Sequence, residues 1–492
     1  MPGRRSSLHR AFSLTSCHGD RSMCSKSYQY AADRFQKRGG LRAAAIITVA
    51  WVAQNGTAQN DPHVAAPQES LRMMWSVDLK APSFGSAAAG DLNGDGKPEI
   101  VFGTYFNDGH VYALNGADGR VLWKHRSDGG PFDASILILD VDRDGKPEVL
   151  CADSAYGTLY CLNAKGEVVW KYKGQSGTDS PPAAADLDGD GEMEIVYGTM
   201  KAGDRDGFVN CLSARTGKGI WSVAVPGHIQ SEPGLVEVNG DGVLDVLVTN
   251  WMGDNRLRAL SGKDGKELWR FDTGDWIYHG ISAADFDADQ RPEIIVADRK
   301  GTVWMLRATT GERIWETRLE GEAEGMVFAP TTLVDADRDG IPEIVVCGTN
   351  LHLLDSKGKV RWRNSYGYRS IARGVAVADV DGDGVPDLIF GEGTTLRAVR
   401  ADTGGEVFAY DLKTKNDPYE GIDHAPLILD VDGDGQLDIF VVVGRGLSGN
   451  DEATSMNRNY GRAVALRTAS GRADARNAWT TFRGNNRRTG SQ

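Results

Sequence analysis

The sequence predicts an all-β protein, an eight-bladed β-propeller of four-stranded blades, from three features of one repeat. An acidic loop recurs eight times, beginning at Asp91, Asp140, Asp186, Glu237, Asp285, Asp335, Asp379 and Asp430, at spacings of 49, 46, 51, 48, 50, 44 and 51 residues. Each loop sits between two short apolar runs that read as buried strands, and two more strand-like runs follow it. A tryptophan keeps the same period, at Trp75, Trp123, Trp170, Trp221, Trp269, Trp315 and Trp362, with Phe408 in the remaining position. Four strands in a repeat of ~40–50 residues make a propeller blade.

The chain begins with a segment that is set apart from the fold. Lys37-Arg38 and Arg42 precede an apolar run from Ala43 to Ala53, and Gly56-Thr57-Ala58 follows. A basic flank, a short apolar run and a small-x-small end describe a secretory signal with cleavage after Ala58. The run is shorter than the ~20 residues a membrane span needs. Met23 offers an alternative start, and the absence of a cysteine at the cleavage point argues against a lipid anchor. The expected organisation is a leader at 1–58, a linker at 59–72, the propeller at 73–470 and a packed tail at 471–492. The expected location is secreted or periplasmic.

Charge and composition narrow the partners. The 492 residues carry a formal net charge of -13, and loss of residues 1–58 takes it to -20. With no basic face, nucleic acid and anionic membrane surfaces are poor partners. Glycine is abundant at 61, and the apolar runs are bounded by Gly, Asp and Pro, which favours strands over helices. Of six cysteines, Cys17 and Cys24 precede the cleavage point. Cys151, Cys161, Cys211 and Cys347 fall on strands, where buried packing is the plain reading and a Cys151–Cys161 disulfide stays open.

Within one repeat, Ser135–Leu139 enters the acidic loop and Glu148–Cys151 leaves it. Thr158–Leu162 is a third strand, and a Gly166 turn leads to a fourth that holds Trp170. Trp75 precedes the first acidic loop, whereas the last repeat runs out after Arg462–Leu466. The solution is that Met74–Leu79 supplies the missing fourth strand of the eighth blade. Such closure pairs both chain ends and removes open sheet edges, and a closed ring of this kind is expected to be monomeric.

The loops have the chemistry of a calcium site. Hard oxygens at positions one, three, five and nine, a carbonyl at seven and a glycine at six suit an ion that takes six to eight oxygen ligands. The donors are Asp91, Asn93, Asp95 and Glu99; Asp140, Asp142, Asp144 and Glu148; and Asp186, Asp188, Asp190 and Glu194. They continue as Asp335, Asp337, Asp339 and Glu343; Asp379, Asp381, Asp383 and Asp387; and Asp430, Asp432, Asp434 and Asp438. Two copies depart. One has Glu237 first, followed by Asn239, Asp241 and Asp245; the other keeps Asp285, Asp287, Asp289 and Glu293 but has Gln290 in place of glycine. These two are expected to be the weakest. A plain turn needs no four converging acids, because like charges repel, so calcium is expected at about six to eight sites.

The segment Ala378-Asp379-Val-Asp381-Gly-Asp383-Gly-Val-Pro-Asp387-Leu-Ile-Phe-Gly391 resembles the FG-GAP/VCBS repeats of integrin-α-like propellers. The intervening Ala259–Trp269 and Leu306–Trp315 are similar to the tryptophan-docking motifs of quinoprotein-like (PQQ-like) propellers. The resemblance implies calcium on one face of the ring and partners on the other, and it specifies fold more than function. The chain lacks the adjacent cysteine pair of many quinone dehydrogenases, so no PQQ is expected.

The face opposite the acidic loops gathers aromatic and charged residues suited to recognition of a protein or glycan, with Trp251, Trp276, Tyr278, Tyr366, Tyr368, Tyr419 and Asp423 as ligand-binding candidates. The leading function is an exported calcium-binding module for such a partner, with no enzymatic role required. The alternative is a polysaccharide-degrading, lyase-like enzyme, because some calcium-containing eight-bladed propellers that the chain resembles are lyases. His279, Arg373 and His424 would then be the acid–base and carboxylate-neutralising candidates. A quinone-dependent dehydrogenase is the remaining, weaker reading.

Overall fold

The computed structural model describes residues 71–203, 206–321, 327, 329–366, 371, 374–446 and 457–473. The leader, most of the expected tail, Tyr368 and Arg373 lie outside the described residues.

Alternation of short apolar runs with Gly- and Asp-rich turns produces antiparallel hairpins. Seven sheets consist of four consecutive strands each, such as Ala88–Gly90, Glu99–Gly103, His110–Asn115 and Val121–Arg126. The first strand of each blade is short, and several consist of little beyond alanine, as in Ala183–Ala185. The second strand is buried throughout, as Glu99–Gly103, Glu148–Ala152 and Glu343–Cys347 show. The fourth alternates toward solvent, as Val168–Lys173 does, and its exposed Lys171 and Lys173 discourage pairing with another chain.

The eighth sheet is composite, as the offset of Trp75 predicts. Leu427–Leu429, Gln436–Arg445 and Tyr460–Arg472 are completed by Leu71–Leu79, which pairs antiparallel with Tyr460–Arg472 from Leu71 opposite Thr468 to Leu79 opposite Gly461. Glu420–Gly421 adds a short fifth strand. The first and last strands of the described residues therefore close the ring.

One contact repeats between neighbouring blades. The fourth-strand tryptophan donates its indole N–H to a carbonyl in the next blade's turn between strands three and four. Trp75 reaches Gly116 at 2.8 Å, Trp123 Ala164 at 2.9 Å, Trp170 Ala214 at 3.0 Å and Trp221 Gly262 at 2.7 Å. Trp269 reaches Ala308 at 2.9 Å, Trp315 Ser356 at 3.0 Å and Trp362 Ala401 at 2.8 Å. The same turn lays a left-handed glycine on the ring face. At Gly217, with φ +66°, a Cβ would fall 2.4 Å from a Trp170 ring carbon.

Phe408 takes the place of tryptophan at the one interface where no such turn exists. It leans toward the eighth blade, whose third and fourth strands are separate chain ends with no turn between them to offer a carbonyl. Among the described residues no turn carbonyl is placed there to accept an indole N–H, so a phenyl ring fits better. Phe408 is buried in a cluster with Leu71, Ile439 and Leu466.

Apolar clusters fill the spaces between blades. Cys151 packs with Val101, Phe132 and Tyr160 on one side of the second blade, and Cys161 with Leu150 and Tyr197 on the other. In the sheet Cys151 is opposite Tyr160 and Cys161 opposite Leu150, so the two sulfurs point to opposite faces. The four described cysteines are buried and free, which removes the disulfide left open by the sequence.

A Gly217→Ala substitution therefore meets both the left-handed backbone and the Trp170 ring. Gly274, with φ +71° and nothing within 4 Å of its Cβ position, meets only the backbone term. Gly274→Ala should cost about 1–3 kcal/mol, and Gly217→Ala clearly more, read from urea unfolding midpoints. Equal losses would show that the ring is not seated against the turn as described.

Candidate functional site

The acidic loops join strands one and two of each blade, and their carboxylates have two tasks. One is to hold the loop backbone. In all eight loops the ninth residue is buried and its carboxylate accepts the backbone N–H of the second. The donors are Leu92, Val141, Leu187 and Val238, to Glu99, Glu148, Glu194 and Asp245. The remaining four are Phe286, Ala336, Val380 and Val431, to Glu293, Glu343, Asp387 and Asp438. In seven loops the first acid accepts the N–H of the sixth residue, for example Gly191 to Asp186 at 2.9 Å and Gly384 to Asp379 at 2.8 Å.

The second task is to face the loop interior. Single carboxylate oxygens lie within 4.8 Å of one another in the sets Asp140, Asp142 and Glu148; Asp186, Asp188 and Glu194; and Asp379, Asp381 and Asp387. The sets Asp285, Asp287 and Asp289, and Asp335, Asp337 and Asp339, converge in the same way. Buried oxygens of Glu293, Asp335 and Asp387 have no hydrogen-bond partner. Converging hard oxygens, some of them orphaned, fit a divalent cation.

Electrostatics point the same way. Burial, reinforced by the neighbouring carboxylates, pushes the Glu148 carboxyl up to about 6, Glu194 to about 7 and Asp387 to about 8. Burial also lifts Glu343 to about 7, although Arg361 pulls it back. A positive charge within the loop would reverse these shifts.

The two divergent loops differ from each other. Gln290 adopts φ +68° and Ala288 φ +61°, so the Asp285 loop keeps the shape that glycine gives elsewhere, at the cost of backbone strain. Its N–H bonds to Asp285 are retained at Gln290, 2.8 Å. In the other loop the longer Glu237 turns one oxygen back onto the N–H groups of Asn239 and Gly240. Asn239 donates to Asp245, and Lys263 lies 3.0 Å from Asp241. Asn93 likewise donates to Glu99 at 2.8 Å in the first loop.

Alternation of strand direction puts the turns between strands two and three, and the connections between blades, on the face away from these loops. There Trp251, Trp276 and Tyr278 come together at the junction of the fourth and fifth blades. Trp251 meets Trp276 edge-on at 6.3 Å and Tyr278 at 5.3 Å. Met252 and Asn255, at φ +53° and +60°, strain the turn that carries Trp251. Arg299 lies over the Trp276 ring at 4.6 Å and bonds Asp275 at 2.6 Å.

The other predicted residues fall elsewhere. Tyr366 packs on Phe390 at 5.3 Å with Arg397 over its ring, and Tyr419 lies beside Arg445, which pairs with Asp417 at 3.1 Å. Asp423 is partly buried. His279 is buried 3.2 Å from Glu232. His424 is buried with both ring nitrogens engaged, Nδ1 donating to the Ala425 carbonyl and Nε2 accepting from the Val442 N–H. In that geometry His424 bridges two backbone groups.

Sequence reasoning missed His228, Arg299 and two arginines at the acidic loops. His228 bridges to Trp251 through paired backbone bonds, with the rings 5.6 Å apart. His228 and Arg299 lie in variable turns that no repeat pattern marks. The arginines had a signal: Arg400, at the end of its third strand, and Arg467, within its own, lie opposite the ninth acids Asp387 and Asp438.

Family models match three stretches of the chain. The family model for outer membrane protein assembly factor BamB (PQQ_2) matches residues 190–417, that for the lambda-carrageenase β-propeller domain 117–181, and the FG-GAP repeat 84–121. Outer membrane protein assembly factor BamB of Yersinia pestis is 26% identical over 217 residues, 42% of this chain and 48% of that protein. Rhamnogalacturonan endolyase YesW of Bacillus subtilis is 24% identical over 405 residues, 69% of this chain and 61% of that protein. The matches thus span less than two thirds of either relative. The V. cholerae biofilm matrix protein Bap1 superposes with a TM-score of 0.60 at 15% identity, over 84% of this chain and 94% of that one, which speaks for the fold alone. The chain is an eight-bladed β-propeller built from FG-GAP and PQQ-like repeats.

Proposed function

We propose that this chain is an exported calcium-binding propeller that holds a glycan on the face opposite its acidic loops. The observation that carries the reading is the junction of the fourth and fifth blades. Three aromatic rings meet there at a strained turn, with Arg299, Lys300 and Asp275 beside them. Trp251 and Tyr278 are buried, at 7% and 9% exposure, and back the half-buried Trp276. The Trp276 ring and its Arg299 neighbour are what a sugar's apolar face and hydroxyl edge would meet. A protein ligand on the same surface is the other outcome of the test.

Calcium is assigned to the loops beginning at Asp140, Asp186, Asp285, Asp335 and Asp379, where carboxylate oxygens converge. Its task is structural: it offsets carboxylate repulsion and stiffens the first hairpin of the blade. Export is supported by the basic flank and apolar run ending at Ala53, and by the likeness to an outer membrane protein assembly factor. Among the described residues no helix is long and apolar enough to cross a membrane.

A lyase remains the second reading, because the match to rhamnogalacturonan endolyase YesW runs over 405 residues. Release of unsaturated sugars from acidic polysaccharides would favour it. His424 is not offered as its base, since its nitrogens hold backbone groups.

Binding to a panel of neutral and acidic polysaccharides tests the glycan reading. Trp276→Ala should weaken retention about tenfold without changing the melting temperature. Binding indifferent to that substitution, or retention of proteins alone, would remove the assignment.

The calcium reading makes a signed pH prediction. Burial holds the ninth carboxyls above the unfolded range, so the metal-free fold takes up protons that the unfolded chain has released. Its stability should rise as pH falls from about 8 through 6, and level off near the ordinary carboxylate range of ~4. Calcium at pH 8 supplies the charge instead and should raise the melting temperature most there. Melting curves with calcium and with a chelator decide this, and a metal-free protein that gains stability as pH rises through that window contradicts it.

A further inference from the structure

The ninth carboxylate of an acidic loop faces, across the sheet, a residue of the third strand of the same blade. It is the strand's last residue except in the eighth blade, where the strand runs on to Arg472. Asn115 lies opposite Glu99 and Ser213 opposite Glu194, whereas Arg307, Arg400 and Arg467 lie opposite Glu293, Asp387 and Asp438. Small neutral residues leave the loop interior to an incoming ion. An arginine at that position can reach into it.

Arg467 does so most completely. Its Nε lies 3.0 Å from Asp438, one terminal nitrogen 2.5 Å from Asp432 and the other 2.5 Å from Asp434. These are the carboxylates of positions nine, three and five. The first acid, Asp430, has both oxygens engaged by the N–H groups of Gly433, Asp434 and Gly435. Asp438 is fully buried and the Arg467 side chain is 15% exposed, so the guanidinium occupies the loop interior and is not a surface partner. By contrast Arg400 touches only Asp383 of the seventh loop, where Asp379, Asp381 and Asp387 still converge, and Arg361 spans Asp337 and Glu343 of the sixth.

We propose that Arg467 is the resident cation of the eighth loop, so that this loop takes no divalent ion. The inference rests on the calcium reading of the other loops but marks a boundary to it. A guanidinium presents five donors in a planar fork and stays charged at any working pH, so it can satisfy three carboxylates together. Its site in the ring is specific. Arg467 belongs to Tyr460–Arg472, the strand that Leu71–Leu79 closes, and its terminal nitrogen also lies 3.8 Å from the sulfur of Met74 on that strand. A tethered cation cannot be lost to dilution or to a chelator. The blade that joins the two chain ends therefore keeps its charge balance when ions leave the other loops.

Equilibrium uptake of calcium by the full chain, followed by metal analysis, tests this with two substitutions. Arg467→Gln should bind one ion per chain more than the unsubstituted protein, and should be less stable than it in chelator but recover with calcium. Asp434→Asn should leave the ion count unchanged. An unchanged count in Arg467→Gln, or a count lowered by one in Asp434→Asn, overturns the proposal. If Arg467→Gln does not fold, the Asp434→Asn count decides alone. Zero ions in the unsubstituted protein with one in Arg467→Gln would sink the calcium reading of the other loops and leave this proposal standing.

Discussion

Burying a carboxylate eight times over, each beside further carboxylates, is the constraint on which the rest of the structure depends. The ninth acid of each loop anchors the loop to its own blade through a backbone N–H two residues into the loop, as Glu194 does with Leu187. The same acid lies at the start of the second strand, the most buried strand of the blade. That position costs desolvation, which raises the carboxyl of Asp387 to about 8. On the proposed reading, that cost is offset by positive charge at these points, from an ion or from a side chain such as Arg467.

Around this constraint the ring is assembled by a second, independent repeat. Each indole N–H bond contributes on the order of 1 kcal/mol, and seven of them link consecutive blades. The carbonyl and the glycine face that receive the indole come from one turn, so tryptophan and turn form a single lock. Where the turn is missing, so is the tryptophan. Phe408 and the composite eighth blade are two consequences of closing the ring with two chain ends.

Much of this was legible in the sequence because it is periodic. Loop spacing and the offset of Trp75 implied eight blades and the closing strand, which extends from Leu71 to Leu79. What escaped was not periodic. The Cys151–Cys161 question turned on which face of a strand each sulfur takes, a matter of pairing register that spacing alone leaves open. His424 read as a catalytic candidate from its position, but its ring is consumed by backbone hydrogen bonds that come from 18 residues away in one case. Arg400 and Arg467 differ here. Aligning the repeats sets Asn115, Ser213, Arg307, Arg400 and Arg467 in one column, and only the sheet register reveals that the column faces the ninth acid. The aromatic junction was half legible: Trp251, Trp276 and Tyr278 were named, but Tyr366 and Tyr419 belong to other blades, and His228 and Arg299 were not foreseen.

The ring separates two kinds of work. One face carries loops that solve a charge problem and turns that lock neighbouring blades. The other carries aromatic side chains on turns that the scaffold leaves free to vary, which is where recognition is assigned. The claim that charge neutralisation organises the first face is tested most directly by anomalous diffraction from crystals grown with calcium. The account predicts ion peaks inside the loops that begin at Asp140, Asp186 and Asp379, and the Arg467 guanidinium in place of a peak in the loop at Asp430. Loops without any peak, or a peak in the Asp430 loop with Arg467 turned out to solvent, would contradict it.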